Sequence, residues 1–125
     1  MRTLGVKNLA LEALKGAVSL DGTTVRVEFR GNADMGSHAA FRDFIAALHA
    51  EVVRVGITLL ELDLTELYFM NSSCLSIVAG LISTVAGSLP PARFHILLRT
   101  NPNLRWQKRS VQALCGFASD LVTAV

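Results

Sequence analysis

Charge is what this chain has least of. Only 18% of its 125 residues are Asp, Glu, Lys or Arg, and none of these falls between Leu67 and Ala92. The net charge of +2 is too small to imply nucleic acid or an anionic membrane as a partner. Cysteine is scarce as well. Cys74 and Cys115 stand far apart, without a C-x-x-C pair or histidines at metal-ligand spacing, which reads as two free thiols rather than a disulfide or a metal site. The first residues lack a basic stretch followed by an apolar run, the mark of a secretory signal, so a cytoplasmic location is expected. The uncharged stretch raises the question of membrane insertion. Asn71, several Ser and Thr, Gly80, Gly87 and Pro90-Pro91 interrupt it, whereas a spanning helix needs ~20 predominantly apolar residues. No membrane insertion is expected, and no cofactor.

Hydrophobic residues make up 51% of the chain, enough for a packed core, and the length suits a single domain over residues 1–125. Thr23 to Arg30 alternates apolar and polar, as a strand with one wet face does. Asp21-Gly22 before it reads as a hairpin turn, with Ala17 to Leu20 as the partner strand and Leu9 to Lys15 ambiguous. Gly31 to Gly36 reads as a loop. His38 to Val55 reads as a helix, with Phe41, Phe44, Ile45, Leu48 and Val52 at helical spacing and Gly56 as its stop. Ile57 to Leu64 is a near-continuous apolar run fit for a central parallel strand, and Ser72 to Ser88 a second helix. Arg93 to Arg99 is a strand, Asn101-Pro102-Asn103 opens a third helix through Leu114, and Leu121 to Val125 is a short last strand. Strands alternating with helices predict an α/β fold: a mixed, mostly parallel sheet with about three main helices packed on it. The loops after the parallel strands then gather at one edge, where such sheets meet their ligands and partners.

The stretch with most chemistry is Leu62-Asp63-Leu64 followed by Phe69-Met70-Asn71-Ser72-Ser73-Cys74-Leu75, a strand, a short loop, and two serines opening an apolar helix. A helix N-terminus carries unsatisfied N–H groups and partial positive charge, so a serine there serves equally as a cap or as the carrier of a phosphate. From spacing alone the cap is the better reading, with Asn71 or Ser72 accepting from the helix N–H groups, because caps are common and phosphosites rare.

The order of elements and the Leu-Asp-Leu…Phe-Met-Asn-Ser-Ser-x-Leu run resemble the STAS domain, the family of anti-sigma factor antagonists and related regulators, over roughly Val25 to Leu98. Gly31-Asn32-Ala33-Asp34 matches a Gly-x-x-Asp loop of that family. The resemblance implies a protein-binding regulator whose partner is an anti-sigma factor or switch kinase, and it places the phosphorylated serine at Ser73. It also implies a partner surface built from the Gly-x-x-Asp loop and the serine turn, carrying over to Asp34, Ser72 and Ser73, and Asn71 and Cys74 in the same turn are expected to belong to it. Two residues depart from the family pattern: Asn71 stands where aspartate is usual, and Cys74 where glycine is usual. The first removes a carboxylate beside the serine, and the second adds a side chain where a partner would approach closely.

At helical spacing Leu75, Val78, Ala79, Ile82, Val85 and Ala86 share one face of the second helix, the expected core face. Ser73, Ser76, Ile77, Gly80, Ser83, Thr84 and Gly87 share the other, which is small, hydroxyl-bearing and uncharged. Solvated helix faces usually carry Lys and Glu, so this face is expected to be covered, either by a partner at Ile77, Gly80 and Thr84 or by the chain's own N-terminal segment. Two other clusters carry less. Arg99, Arg105, Lys108 and Arg109 with Trp106 form a basic group of a kind that holds nucleic acid, but on a near-neutral domain it reads as a solvated face. His38, His49 and His95 have no Gly-x-Ser-x-Gly elbow or placed acid to make a hydrolase of Ser73 or Cys74, so no catalysis is expected. Asp63 in its apolar strand is expected to orient a neighbouring loop by hydrogen bonding. A regulatory antagonist switched at Ser73 is the first reading. A constitutive STAS-type accessory subunit of a transporter or signalling complex is the second.

Overall fold

The computed structural model describes residues 3–125. In chain order it contains β1 (Leu9–Ala10), β2 (Leu14–Asp21), β3 (Thr24–Ala33), α1 (His38–Val55), β4 (Leu59–Met70), α2 (Ser72–Ala86), β5 (His95–Arg99), α3 (Arg105–Phe117) and β6 (Val122–Ala124), with short 3-10 turns at Met35–Ser37 and Pro90–Ala92. The strands form one six-stranded sheet in the order β1-β2-β3-β4-β5-β6. The first two pairings are antiparallel and the remaining three parallel, so the α/β fold with a mixed, mostly parallel sheet and three main helices is as expected.

Each boundary has a local cause. Gly22 (φ 61°) sits first in the two-residue turn closed by Asp21 and Thr24, where an L side chain would be strained. Gly56 (φ 79°) ends α1 in the left-handed conformation, its N–H donating to Val52 O and Val53 O. In α1 the five residues at helical spacing, Phe41, Phe44, Ile45, Leu48 and Val52, are all buried. Phe29 of β3 meets Phe41 and Phe44 with ring centroids 5.7 and 6.0 Å apart.

Three expectations change. The segment from Gly31 is not loop: β3 runs on to Ala33, because Gly31 adopts φ 109° where the chain passes the Ala13 carbonyl, only 2.2 Å from where a Cβ would lie. Likewise β4 does not stop at Leu64. It continues to Met70 as the partner of that extension, with register shifts on β3 between Glu28 and Arg30 and between Gly31 and Asn32. The ambiguous Leu9 to Lys15 stretch holds β1 and the start of β2.

The helices cover one face of the sheet and leave the other in water. Along β3, Val25, Val27 and Phe29 are buried while Glu28 and Arg30 are exposed. On β4 the alternation puts Leu60, Leu62 and Leu64 in the core and Glu61 and Asp63 on the open face. Those two carboxylates are shielded by arginines from the neighbouring strands. Arg26 Nη2 donates to Asp63 Oδ2 at 2.6 Å, and Arg99 Nη2 lies 3.2 Å from Glu61 Oε1. Asp63 also accepts from the Thr65 amide (2.9 Å) and hydroxyl (2.7 Å), so it ties the extended end of β4 to the strand. Burial pushes its carboxyl up, but the Thr65 and Arg26 bonds outweigh that and hold it below the usual carboxylate range.

Candidate partner-binding site

The parallel arrangement of β3, β4 and β5 brings the segments that follow them to one edge of the sheet. The two that carry the signature residues lie side by side. Ala33 pairs with Met70, and the next amide, Asn71 N–H, donates to Ala33 O at 2.9 Å. From there each chain makes its own cap. Asp34 Oδ1 accepts from the Ser37 amide (3.1 Å) and hydroxyl (3.0 Å), closing the 3-10 turn. Asn71 Oδ1 accepts from the Cys74 amide at 2.8 Å, capping α2. The cap is therefore Asn71, with Ser72 and Ser73 as the first two helical residues.

This frees both serine hydroxyls. Among the described residues neither makes a hydrogen bond through its side chain; Ser72 is exposed and Ser73 half-buried. Their amides lie in the first turn, where no intrahelical acceptor exists, so the positive end of α2 opens at the two hydroxyls.

Cys74 behaves differently from the expectation that it meets a partner. Its side chain is fully buried, with Sγ 3.9 Å from Asp34 O. Burial, helped by the nearby Asp34 carboxylate, pushes the thiol's pKa up, so it stays protonated and weakly nucleophilic. Cys74 thus packs the turn from beneath. The core face of α2 is accordingly Cys74, Val78, Leu81, Ile82 and Val85, rotated from the expected one, on which Leu75, Ala79 and Ala86 are only partly buried. The helix docks on two neighbouring helices as well as the sheet, and that docking sets its rotation.

The opposite face of α2 is open. Ser76, Gly80, Ser83, Thr84 and Gly87 are exposed and Ile77 half-buried, and three hydroxyls fold back on the helix: Ser76 to Ser72 O, Thr84 to Gly80 O, Ser88 to Thr84 O. Among the described residues, the chain's own N-terminal segment does not cover it. Gly5 N–H donates to Glu51 of α1 at 2.6 Å, and Arg54 of α1 donates to Thr3 O, which fastens that segment to another helix.

Three residues at this edge are not among the expected partner-binding residues. Met35 is 75% exposed, Tyr68 53% and Phe69 46%, so the caps are flanked by bulky apolar groups in water. Adjacent aromatics in a strand point to opposite faces, so Tyr68-Phe69 cannot both enter the core, and that much was readable. Of the histidines, His38 opens α1 directly after the Asp34 turn, and the other two lie elsewhere. His49 packs edge-on against Phe94 (5.9 Å), which precedes β5 at the far edge of the sheet, and burial lowers its pKa; His95 is exposed on the open sheet face. Among the described residues no helix is long and apolar enough to cross a membrane.

No protein-family model matches the chain, and no curated protein matches it. Its fold does have counterparts: it is the STAS fold seen in anti-sigma factor antagonists. An anti-sigma factor antagonist from Mycobacterium paratuberculosis superposes with a TM-score of 0.61 at 20% identity, over 86% of this chain and 84% of that one. The anti-sigma factor antagonist SpoIIAA in its unphosphorylated form gives 0.54 at 20% identity, over 88% and 87%.

Proposed function

We propose that this chain is a single-domain regulatory protein-binding module of the anti-sigma factor antagonist type. It sequesters an anti-sigma factor or a related switch kinase in the cytoplasm, and phosphorylation of Ser73 by that partner sets its state. The observation that carries the reading is the pair of unbonded serine hydroxyls at the positive end of α2, beside the capped Asp34 loop and below an exposed helix face without charge. The partner surface is Asp34, Asn71, Ser72 and Ser73 with Ile77, Gly80 and Thr84 along the helix, and Cys74 supporting it from below. A phosphate on Ser73 adds about −1.5 to −2 charges to that neutral face, enough to turn away an apolar or acidic partner surface.

A second reading, a constitutive accessory subunit bound through the same surface, draws on Asn71 and Cys74. One caps the helix and the other fills the space beneath it, so the turn is held in place without a phosphate. Intact mass and phosphosite mapping of the protein from its native cells under several growth conditions separates the two. Phosphate on Ser73 that varies with condition, with loss of partner capture in Ser73→Asp, supports the switch. Phosphate on Ser72 shifts the regulatory position by one residue. Unmodified protein in every condition, still capturing its partner, supports the constitutive subunit.

A further inference from the structure

The basic group on α3 differs from every other cluster of charge on the molecule. Elsewhere the described arginines that cluster with other charges are paired: Arg26 with Glu28, Glu61 and Asp63, Arg30 with Glu66, Arg42 with Asp43, Arg54 with Glu51, Arg99 with Glu61, while Arg93 stands apart and donates to Ala86 O. Arg105, Lys108 and Arg109 are exposed and, among the described residues, form no ion pair. The helix Arg105–Phe117 contains no acidic residue. These cations also stand in its first turns, where the helix's own field favours anions, so the chain concentrates positive potential and leaves it unneutralised. A solvated face normally mixes the two signs and so keeps its own field low.

That potential faces a cavity of about 580 Å³ bordered by Thr100, Asn101, Leu104, Arg105, Lys108 and Gln112. Its wall is rigid because α3 is fastened to the extended end of β4. Trp106 Nε1 donates to Leu67 O (3.1 Å), Gln107 Nε2 to Leu64 O (2.6 Å), and Asn101 Nδ2 to Thr65 O (3.0 Å). Since β4 and β5 are parallel, this cavity and the Ser72 turn open along the same edge of the sheet.

We propose that the cavity receives an acidic segment of a protein partner, its carboxylates meeting Arg105 and Lys108. The proposal rests on the protein-binding reading above. Nucleic acid fits less well: the patch holds three cations, and Trp106, partly buried with its N–H bonded to Leu67 O, offers no free ring for stacking bases.

The test is a titration of the intact, 15N-labelled chain with hexaglutamate in low salt, followed by amide chemical shifts, with oligothymidylate and inorganic phosphate as comparators. Hexaglutamate shifts are expected to be confined to Thr100 through Gln112, and the double variant Arg105→Glu, Lys108→Glu weakens binding by about tenfold or more. Because a carboxylate in the first turn suits the helix field, that variant melts at or above the wild-type temperature, and its spectrum reports an intact fold. Absence of shifts around α3, or equal shifts at Lys7 and Lys15, overturns the proposal. So do tighter binding of oligothymidylate, which would assign the cavity to nucleic acid, and reproduction of the same shifts by phosphate, which would make it a simple anion site. The titration is independent of Ser73: hexaglutamate binding survives even if no phosphate is found, and phosphate on Ser73 leaves a failed titration as the failure of this proposal alone.

Discussion

Gly80 offers the sharpest test of the exposed helix face. It lies in the middle of α2, in ordinary helical conformation, and a Cβ built there meets no heavy atom within 4 Å. Nothing in the chain therefore requires glycine, while glycine in a helix interior costs about 0.8–1.0 kcal/mol relative to alanine. Gly80→Ala should recover most of that, about 0.4–1 kcal/mol, and Gly80→Arg a similar amount. At an unfolding entropy near 2.1 cal/mol/K per residue, this chain loses about 0.26 kcal/mol of stability per degree at its midpoint, so Tm should rise by about 2–4 °C. Differential scanning calorimetry or a circular-dichroism melt reads this directly. If the face were packed within the chain, the added atoms would instead cost about 1–3 kcal/mol and lower Tm by several degrees, so the sign of the shift decides. A fall in Tm refutes the exposed-face reasoning. With Tm raised, Gly80→Arg should lose the partner that wild type captures, as should Thr84→Glu. A retained partner would mean that glycine was not kept for close approach.

Substitutions at two other positions probe the α2 cap and the acid limb. Asn71→Ala removes the acceptor of the Cys74 amide and should cost about 1 kcal/mol, or about 4 °C in Tm, whereas Asn71→Asp keeps the acceptor and holds the wild-type Tm. Urea titrations of the three proteins check the ranking. The Glu51 carboxyl is held down to about 2 by hydrogen bonds from Arg54 and from the Gly5 amide. Its pKa is lower folded than unfolded, so the unfolded chain takes up protons first as pH falls. The stability it contributes is full above about pH 4.5 and is lost on descent toward pH 2. Asp63, lowered in the same direction, adds to that slope. Glu51→Gln should therefore flatten the fall in stability across that window in pH-dependent urea melts, and an unchanged slope would contradict the Gly5–Glu51–Arg54 linkage.

Much of the fold can be read in the sequence because the signals are local. The stripe from Phe41 to Val52 and the stop at Gly56 define α1 without reference to any other element. What stays hidden depends on partners distant in the chain. The end of β4 loses its alternation at Tyr68-Phe69, and its pairing with Asn32 and Ala33 exists only because Gly31 allows β3 to slip past Ala13. Leu60-Glu61-Leu62-Asp63-Leu64 does alternate, yet reading it as an apolar run conceals the open face, since the arginines that shield the two acids come from β3 and β5. The site divides the same way. The neighbourhood of the Asp34 loop and the Ser72 turn follows from strand order, whereas the inward turn of Cys74 comes from how α2 settles on α1 and α3.

The order of the sheet has a consequence for how the molecule is assembled. Its spatial order, β1 through β6, is also its order along the chain, so no strand has to wait for a later one to be inserted beside it. The β2–β3 hairpin closes through a two-residue turn, and each later strand then adds to the edge exposed by the one before it. Loop-closure entropy is met in small instalments, with one helix-length crossover at a time, and non-local pairing never spans more than two successive strands. A chain emerging residue by residue can therefore complete this sheet from its N-terminal side outward, and the last edge to form is the three-residue β6.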